Sequence, residues 1–312
     1  MSIVYLVVPC YNEEQVLPET VKRLTAKLTG MMQSGIAAPE SRILFVDDGS
    51  RDKTWELIEG YHQENPMVGG VKLAHNRGHQ NALLSGLMTA RKYADCAISL
   101  DADLQDDIEV LDQFVRQFQN GCDVVYGVRS KRDTDTFFKK NTALAFYRLM
   151  KMLGVDLVYN HADYRLMSRR ALDALADYRE TNLFLRGIVP LIGFQSGTVT
   201  YERHERFAGE SKYPLKKMIS FAMDGITSFS VKPLKIIANL GILVSCFSIL
   251  GLLYALVSYF TGNAVAGWTA IICSIWLLGG IQLLCIGVVG SYIGKIYNEV
   301  KDRPRFLIEK EL

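Results

Sequence analysis

Asp101 and Asp103 stand two residues apart in the segment Asp101-Ala102-Asp103-Leu104-Gln105, directly after the apolar run Cys96–Leu100. In an extended chain, carboxylates at this spacing point to opposite sides. A bend at the end of a strand can turn both toward one ligand. Two hard oxygen donors so placed suit Mg2+ or Mn2+ bound together with substrate phosphates, and Gln105 can add a neutral oxygen. Three more polar clusters come directly after apolar runs: Pro9-Cys10-Tyr11-Asn12-Glu13-Glu14, Asp47-Asp48-Gly49-Ser50 and Asn76-Arg77-Gly78-His79-Gln80.

The surrounding pattern says where these clusters lie. Ile3–Val8, Arg42–Val46, Val68–Ala74, Cys96–Leu100 and Asp123–Val128 are strand-like runs. Leu17, Val21, Leu24, Leu28 and Met31 mark one helix face by their three- and four-residue spacing. A helix capped by Ser50 or Asp52 is expected after the second strand, with further helices over His79–Tyr93 and Ile108–Gln119. This alternation predicts an α/β, mainly parallel sheet with helices on both faces, and such sheets bind ligands at the carboxyl ends of their strands. All four clusters then share one edge, which makes a site rather than four loops. No GxGxxG occurs after the first strand and no GxxxxGK[ST] occurs anywhere, so dinucleotide dehydrogenases and P-loop NTPases are excluded. The remaining reading is a nucleotide whose diphosphate is held through metal, as in a nucleotide-sugar enzyme.

The 312 residues carry a formal charge of +2 and are 49% hydrophobic and 22% charged. That composition excludes a disordered chain. So even a charge balance gives no case for nucleic-acid binding. Six cysteines lie far apart without a CxxC pair, which speaks against a disulfide scaffold or a zinc site and for reduced thiols. A histidine metal site is not expected either, because His75, His79 and His161 are dispersed. The apolar excess sits late in the chain. No charge occurs in the 25 positions Ile236–Phe260 or in the 31 positions Ala264–Gly294. Either run exceeds a hydrocarbon core of about 30 Å, so two membrane helices forming a hairpin are expected. Lysines and arginines flank the pair on one side only, at Lys216, Lys217, Lys232 and Lys235 and at Lys295, Lys301, Arg303 and Arg305. The positive-inside rule then places both termini in the cytoplasm. The first residues read as a strand and not as a cleavable leader. Leu215, Ile219, Ala222, Ile226 and Phe229 recur at helical spacing, as in an amphipathic helix lying in the membrane interface. The expected division is a globular domain over 1–213, an interfacial helix over 214–232, two spans over 233–294 and a cytoplasmic tail over 295–312.

Val8-Pro9-Cys10-Tyr11-Asn12-Glu13-Glu14, Asp47-Asp48-Gly49-Ser50 and Asp101-Ala102-Asp103-Leu104-Gln105 resemble the signatures of family 2 glycosyltransferases of the GT-A fold. Asp163-Tyr164-Arg165-Leu166-Met167-Ser168-Arg169, Arg206-Phe207-Ala208-Gly209-Glu210-Ser211-Lys212-Tyr213 and Gly225-Ile226-Thr227-Ser228-Phe229-Ser230 narrow the resemblance. With the paired C-terminal spans, the chain is similar to bacterial polyisoprenyl-phosphate glycosyltransferases, relatives of dolichol-phosphate mannose synthase. The resemblance implies that Pro9, Tyr11, Glu13, Asp47 and Asp101 hold the nucleotide. It implies that Asp103 is the main metal ligand, with Asp101 and Gln105 beside it. Arg129, Arg206 and Lys212 correspond to phosphate-binding positions, and Asp163 falls in the candidate catalytic motif with Asp103, Arg129 and Lys212. Asp163 could act as base, position the acceptor or the sugar, or simply pair with Arg165 or Arg169. In one place the chain departs from the pattern. Asp107 stands where the family often has proline, which leaves the next helix start less rigid, although Asp is acceptable in a first turn.

The implied reaction moves a sugar, glucose or N-acetylglucosamine first, from a UDP-sugar to undecaprenyl phosphate at the cytoplasmic membrane face, for cell-envelope glycosylation. A phosphate monoester has a second pKa near about 6, so the acceptor is already largely anionic and needs little from a base. In-line attack with inversion would give a β-linked product from an α-linked donor. A homo-oligomer, tetramers foremost, is implied, as are a flippase and a downstream glycosyltransferase as partners. Two rival functions are a processive polysaccharide synthase, whose QxxRW motif is missing, and a non-catalytic membrane scaffold for a lipid-sugar flippase.

Overall fold

The structure is a computed structural model that describes residues 1–129, 161–181, 183–202, 232–261 and 267–312. The expected interfacial helix over 214–232 lies outside these residues, apart from its last position. The chain divides into two units. The first holds the sheet and its helices, together with residues 303–312; the second holds two long helices.

In the first unit, β1 (Val4–Cys10), β2 (Arg42–Asp47), β3 (Val68–Leu73) and β4 (Cys96–Ser99) pair in parallel in the order β4-β1-β2-β3. Their side chains are buried almost throughout, because helices cover both faces. The helices are α1 (Leu17–Gln33), α2 (Thr54–Glu64), α3 (His79–Ala90) and α4 (Leu111–Gln119), the last preceded by a 3-10 turn at Ile108–Val110. Leu17, Val21, Leu24, Leu28 and Met31 of α1 are buried, as their periodicity requires. Past β4 the sheet turns mixed. β6 (His161–Ser168) runs antiparallel to both β4 and β5 (Val124–Arg129), and β7 (Ser196–Tyr201) lies parallel to β5. α5 (Arg169–Ala176) and α6 (Leu185–Leu191) come after β6. Because β6 is reversed, its first residues lie at the edge where β4 and β5 end. The order of the eight strands is β7-β5-β6-β4-β1-β2-β3-β8.

Two local expectations are corrected. α2 begins at Thr54 with Lys53 as its N-cap residue, not Ser50 or Asp52. Asp52 still serves the helix start, since its Oδ1 accepts from the Thr54 amide at 3.0 Å and the Thr54 hydroxyl at 2.6 Å. Asp107 does not loosen the helix start beyond it. It caps the 3-10 turn, accepting from the Glu109 amide at 2.9 Å.

The second unit contains α7 (Lys232–Phe260) and α8 (Trp268–Val300). Ile242, Leu243, Phe247 and Leu250 of α7 and Leu283, Leu284 and Ile286 of α8 are exposed. Within α8, Leu277–Val300 is long and apolar enough to cross a membrane, and among the described residues it is the one stretch that is. The expected pair of spans is thus met by one such helix. After α8 the chain is not a free tail. β8 (Ile308–Glu311) pairs antiparallel with β3 at the sheet edge. The Leu312 amide donates to Gly70 O at 2.8 Å, and Lys72 pairs with Glu309 at 3.0 Å.

Candidate active site

The carboxyl ends of β1, β2 and β4 form the floor of an acidic cleft. In register, Cys10 of β1 stands beside Asp47 of β2, and the Asp48 amide donates to Cys10 O at 2.9 Å. Asp47 is fully buried and accepts from the Ser50 amide at 3.2 Å. Burial pushes its carboxyl up, against the hydrogen bonds from Ser50. Asp48 is buried too, and it accepts from the Arg77 amide at 2.6 Å and the Gly78 amide at 2.9 Å. It therefore ties the loop after β3 to the loop after β2. Gly49 sits between them at φ +68°, and a Cβ there would lie 2.7 Å from the Asn76 amide nitrogen. Only glycine fits that crossing.

The loop after β1 is locked to the start of α2. The Asn12 amide donates to Ser50 Oγ at 2.9 Å, the Glu13 amide to Thr54 Oγ1 at 2.9 Å, and the Arg51 amide to Asn12 Oδ1 at 2.8 Å. Asn12 takes a left-handed backbone, φ +55°. Pro9 is buried, Tyr11 is exposed and Glu13 is half-buried at this rim. A cleft of about 450 Å³ opens here, lined by Asn12, Glu13, Glu14, Arg51 and Asp52 among others. The Cys10 thiol beneath it is buried and raised well above its ordinary value, by burial first and then by Glu13 and Asp47, so it is no nucleophile.

After β4 the chain turns at residues 102–104. Leu104, buried, takes φ +55°, a conformation that a branched side chain adopts at a cost. The Gln105 amide donates to Asp103 Oδ1 at 3.1 Å. The Asp101 carboxyl is pushed up by desolvation first, and by Asp163 and Asp103, against the pull of His79 and Arg186. Carboxylates crowded in this way lose their mutual repulsion when a divalent cation joins them. Asp101, Asp103 and Gln105 supply hard oxygens, so the donor set fits Mg2+ or Mn2+ with phosphates completing the shell. Among the described residues, no group of three or more histidine, cysteine or acidic side chains could hold an ion alone.

Asp163, near the start of β6, is buried beside this loop. Its backbone carbonyl accepts from Ser99 Oγ of β4. Arg165 Nη2 donates to its Oδ1 at 2.5 Å, and Arg186 of α6 forks onto it, Nη2 to Oδ2 at 3.0 Å and Nε to Oδ1 at 3.3 Å. Gln80 Nε2 donates to Oδ2 at 3.3 Å, while Gln80 Oε1 accepts from the Leu185 amide at 3.0 Å. Burial alone would raise this carboxyl, but Arg186 and Arg165 outweigh it and hold it far below the aspartate range. His79 Nε2 lies 3.6 Å from Asp101 and 3.8 Å from Asp163, bridging the two acids. Arg169, the other conceivable partner, lies instead against Asp95 at 3.8 Å.

Arg129 ends β5, and its Nε donates to the Tyr201 hydroxyl at 3.3 Å; that hydroxyl donates to Asp106 Oδ1 at 2.7 Å. Burial, then Asp101, pushes the Asp106 carboxyl up to about 6. The structure thus gathers Pro9, Tyr11, Glu13, Asp47, Asp101, Asp103, Gln105, Arg129 and Asp163 along one sheet edge, while Arg206 and Lys212 lie outside the described residues. His79 and Gln80, from the cluster after β3, and Arg165, the pairing partner the sequence offered for Asp163, join them, as do Asp106, Arg186 and Tyr201, to which the sequence alone assigned no role in the site. Arg186 had one signal, being the sole charged residue from Thr181 to Tyr201.

Residues 5–176 match the model of Glycosyl transferase family 2. The glycosyltransferase YkoT of Bacillus subtilis is 53% identical over 310 residues, spanning 99% of this chain and 92% of that protein. A prophage-derived bactoprenol glucosyl transferase of Shigella flexneri is 39% identical over 307 residues, spanning 98% and 97%. Among solved structures, a Pyrobaculum calidifontis mannosyltransferase in complex with GDP-Man and Mn2+ is similar at 15% identity and a TM-score of 0.46, covering 97% of this chain and 88% of that one. The mainly parallel sheet agrees with the GT-A fold of the matched family. With the family matched across more than half its length and these relatives aligned along nearly all of it, the chain belongs to glycosyl transferase family 2.

Proposed function

We propose that the chain transfers a hexose from a UDP-sugar to a polyprenyl phosphate, undecaprenyl phosphate in the first instance, at the cytoplasmic face of a membrane. The observation that carries this reading is the acidic edge at Asp101 and Asp103 in a chain 39% identical to a bactoprenol glucosyl transferase. Pro9, Tyr11, Glu13 and Asp47 would take the nucleoside. Mg2+ or Mn2+ on Asp103 and Asp101, with Gln105 beside them, would neutralise the departing diphosphate. Arg129, with Arg206 and Lys212, would add fixed positive charge for the phosphates. An acceptor oxygen attacks the anomeric carbon as the bond to UDP breaks, and UDP leaves with the electron pair. The acceptor arrives deprotonated, so no proton has to move.

The sheet supports the membrane part of the reading. β7 and β8 are strands of one sheet, so the chain segments carrying them lie on one side of any bilayer. If Leu277–Val300 crosses, the segment between β7 and β8 must cross an even number of times, and α7 is the helix available for the second crossing. The exposed apolar side chains of α7 and α8 suit lipid better than water.

The test is transfer of label from UDP-glucose or UDP-N-acetylglucosamine to undecaprenyl phosphate by the full chain in lipid, with Asp103→Ala alongside. Metal-dependent label in the organic phase, reduced at least about 100-fold in the variant, is the expected result. No transfer across a full panel of nucleotide sugars would overturn the reading.

A further inference from the structure

We infer that Tyr201 is a positioning residue: its hydroxyl, anchored on Asp106, holds the Arg129 guanidinium in a set place relative to the carboxylate loop after β4. The inference deepens the proposed transfer and rests on it for the phosphate that Arg129 meets.

Strand register brings the pair together. β5 and β7 run in parallel, and Arg129 and Tyr201, the last residue of each, stand side by side. Side chains at matched positions of paired strands leave the same face of a sheet. Arg129 Nε donates to the Tyr201 hydroxyl at 3.3 Å, and that hydroxyl donates its one proton to Asp106 Oδ1 at 2.7 Å. With its proton engaged by a carboxylate, the hydroxyl presents lone pairs to the arginine. Tyr201 and Asp106 are buried, while Arg129 is half-buried. The chain of bonds therefore starts inside the protein and ends on a side chain that solvent can reach.

The tyrosine itself is held from behind. Its ring meets the Tyr164 ring edge-on, 5.2 Å between centroids, and Tyr164 lies 4.6 Å from Phe114. The Tyr164 hydroxyl donates to Asp107 O at 2.9 Å. A Cβ on Gly127 would lie 2.9 Å from Tyr164 O and 3.2 Å from Phe114, so glycine is what lets β5 approach this stack. Two tyrosines thus tie Asp106 and Asp107 to the strands beside them.

The loop that carries Asp101, Asp103 and Gln105 runs directly into Asp106 and Asp107. Thr20 Oγ1 of α1 donates to Ala102 O at 2.8 Å and holds the same loop nearer its start. A phosphate gripped by Arg129 beside a cation on these acids fits best when their separation is fixed before it arrives. The tyrosine takes Nε, which sets the guanidinium plane, and Nη groups in that plane match phosphate oxygens. Asp106 is pushed by Asp101 and Asp103 and pulled by Arg129, so these charges share one neighbourhood. Tyr201 lies beyond residues 5–176, so the family pattern does not account for it.

The phosphate could belong to the donor diphosphate or to the acceptor lipid, and the test distinguishes them. Full-length wild type, Tyr201→Phe, Arg129→Gln and the double variant are compared in lipid. Binding of UDP with Mn2+ and of a short-chain polyprenyl phosphate is measured, beside thermal melts. Arg129→Gln should weaken one of these ligands by about 10- to 100-fold, and Tyr201→Phe the same ligand by about 3- to 10-fold. Loss on UDP assigns the donor; loss on the prenyl phosphate assigns the acceptor. On the Arg129→Gln background, Tyr201→Phe should change neither affinity by more than about twofold. A merely structural tyrosine would lower affinity equally on both backgrounds. Asp106→Asn gives a second cycle from the other end of the chain of bonds, with the same expectation, and decides the matter if Tyr201→Phe does not fold. Wild-type binding of both ligands by Tyr201→Phe would overturn the inference. So would an equal loss on both backgrounds, or wild-type binding of both ligands by Arg129→Gln. A wild type that binds UDP and transfers nothing would sink the transfer reading alone, since the binding arms still decide Tyr201.

Discussion

At the scale of single residues, the cleft is governed by how carboxylates are compensated. Asp163 is held down by two arginines, Asp106 is pushed up by burial, and Asp101 is pushed up by desolvation against the pull of His79 and Arg186. The Asp163 cluster has a definite stability signature. Its carboxyl ionises lower in the folded chain than the unfolded value of about 3.9, so its contribution is complete above that pH and is lost only as pH falls toward the folded value. Asp163→Asn, which leaves Arg165 buried without its counter-charge, should cost about 3 kcal/mol at neutral pH. Denaturant unfolding as a function of pH checks this: the gap between wild type and variant should stay constant through the neutral range and narrow only below about pH 4. A gap that closed near neutrality would mean that Asp163 is not the charged partner described here.

Among the elements, loop crossings decide whether the strand ends face one ligand. Asp48 bonds the β3 loop and Ser50 bonds the β1 loop, with Gly49 between them in a left-handed conformation. Gly49→Ala should therefore cost about 2–4 kcal/mol, part from backbone strain and part from the approach to Asn76. Nucleotide affinity should fall with it, as the β1 and β3 loops separate. Calorimetric titration of UDP beside a thermal melt measures both. An alanine variant as stable as wild type would show that the crossing relaxes freely.

For the whole molecule, the notable connection is the return of the chain after α8. β8 closes the β3 edge, and Lys310–Glu59 at 2.7 Å adds to Lys72–Glu309. Those exposed ion pairs contribute little, so the strand's hydrogen bonds and the packing of Leu312 over Gly70 carry most of the effect. Removing 307–312 should lower stability by about 2 kcal/mol and leave a bare sheet edge that associates. Thermal melts and light scattering of the solubilised protein would read this. The same return predicts topology. In a variant with its native cysteines replaced, Ala264→Cys should react with an impermeant thiol reagent applied from outside intact cells, and cysteines near either terminus should not. Labelling at one terminus but not the other from outside would refute the even number of crossings.

Much of this was legible in the residues themselves. The strands and helices up to β5 can be read from apolar periodicity, because a parallel sheet covered on both faces must be written as unbroken apolar runs. The carboxylates of the edge were legible for a related reason, since polar residues directly after such runs have nowhere to go but the strand ends. Local mistakes were confined to caps, where Asp52 and Asp107 differ by a residue or by a single hydrogen bond from what spacing suggests. Arg165 was legible as a partner of Asp163, but the reversed strand β6, the edge strand β8 and the distant partners of Asp163 were not. Each depends on contacts between segments far apart in sequence: Gln80 meets Asp163, Arg186 comes back to it, and β8 finds β3. The sequence alone determined which chemistry the edge can carry, because that depends on residue type and on strand ends. Tertiary structure alone decided which carboxylates have their charge cancelled from within, because that depends on which distant arginine is brought to which acid.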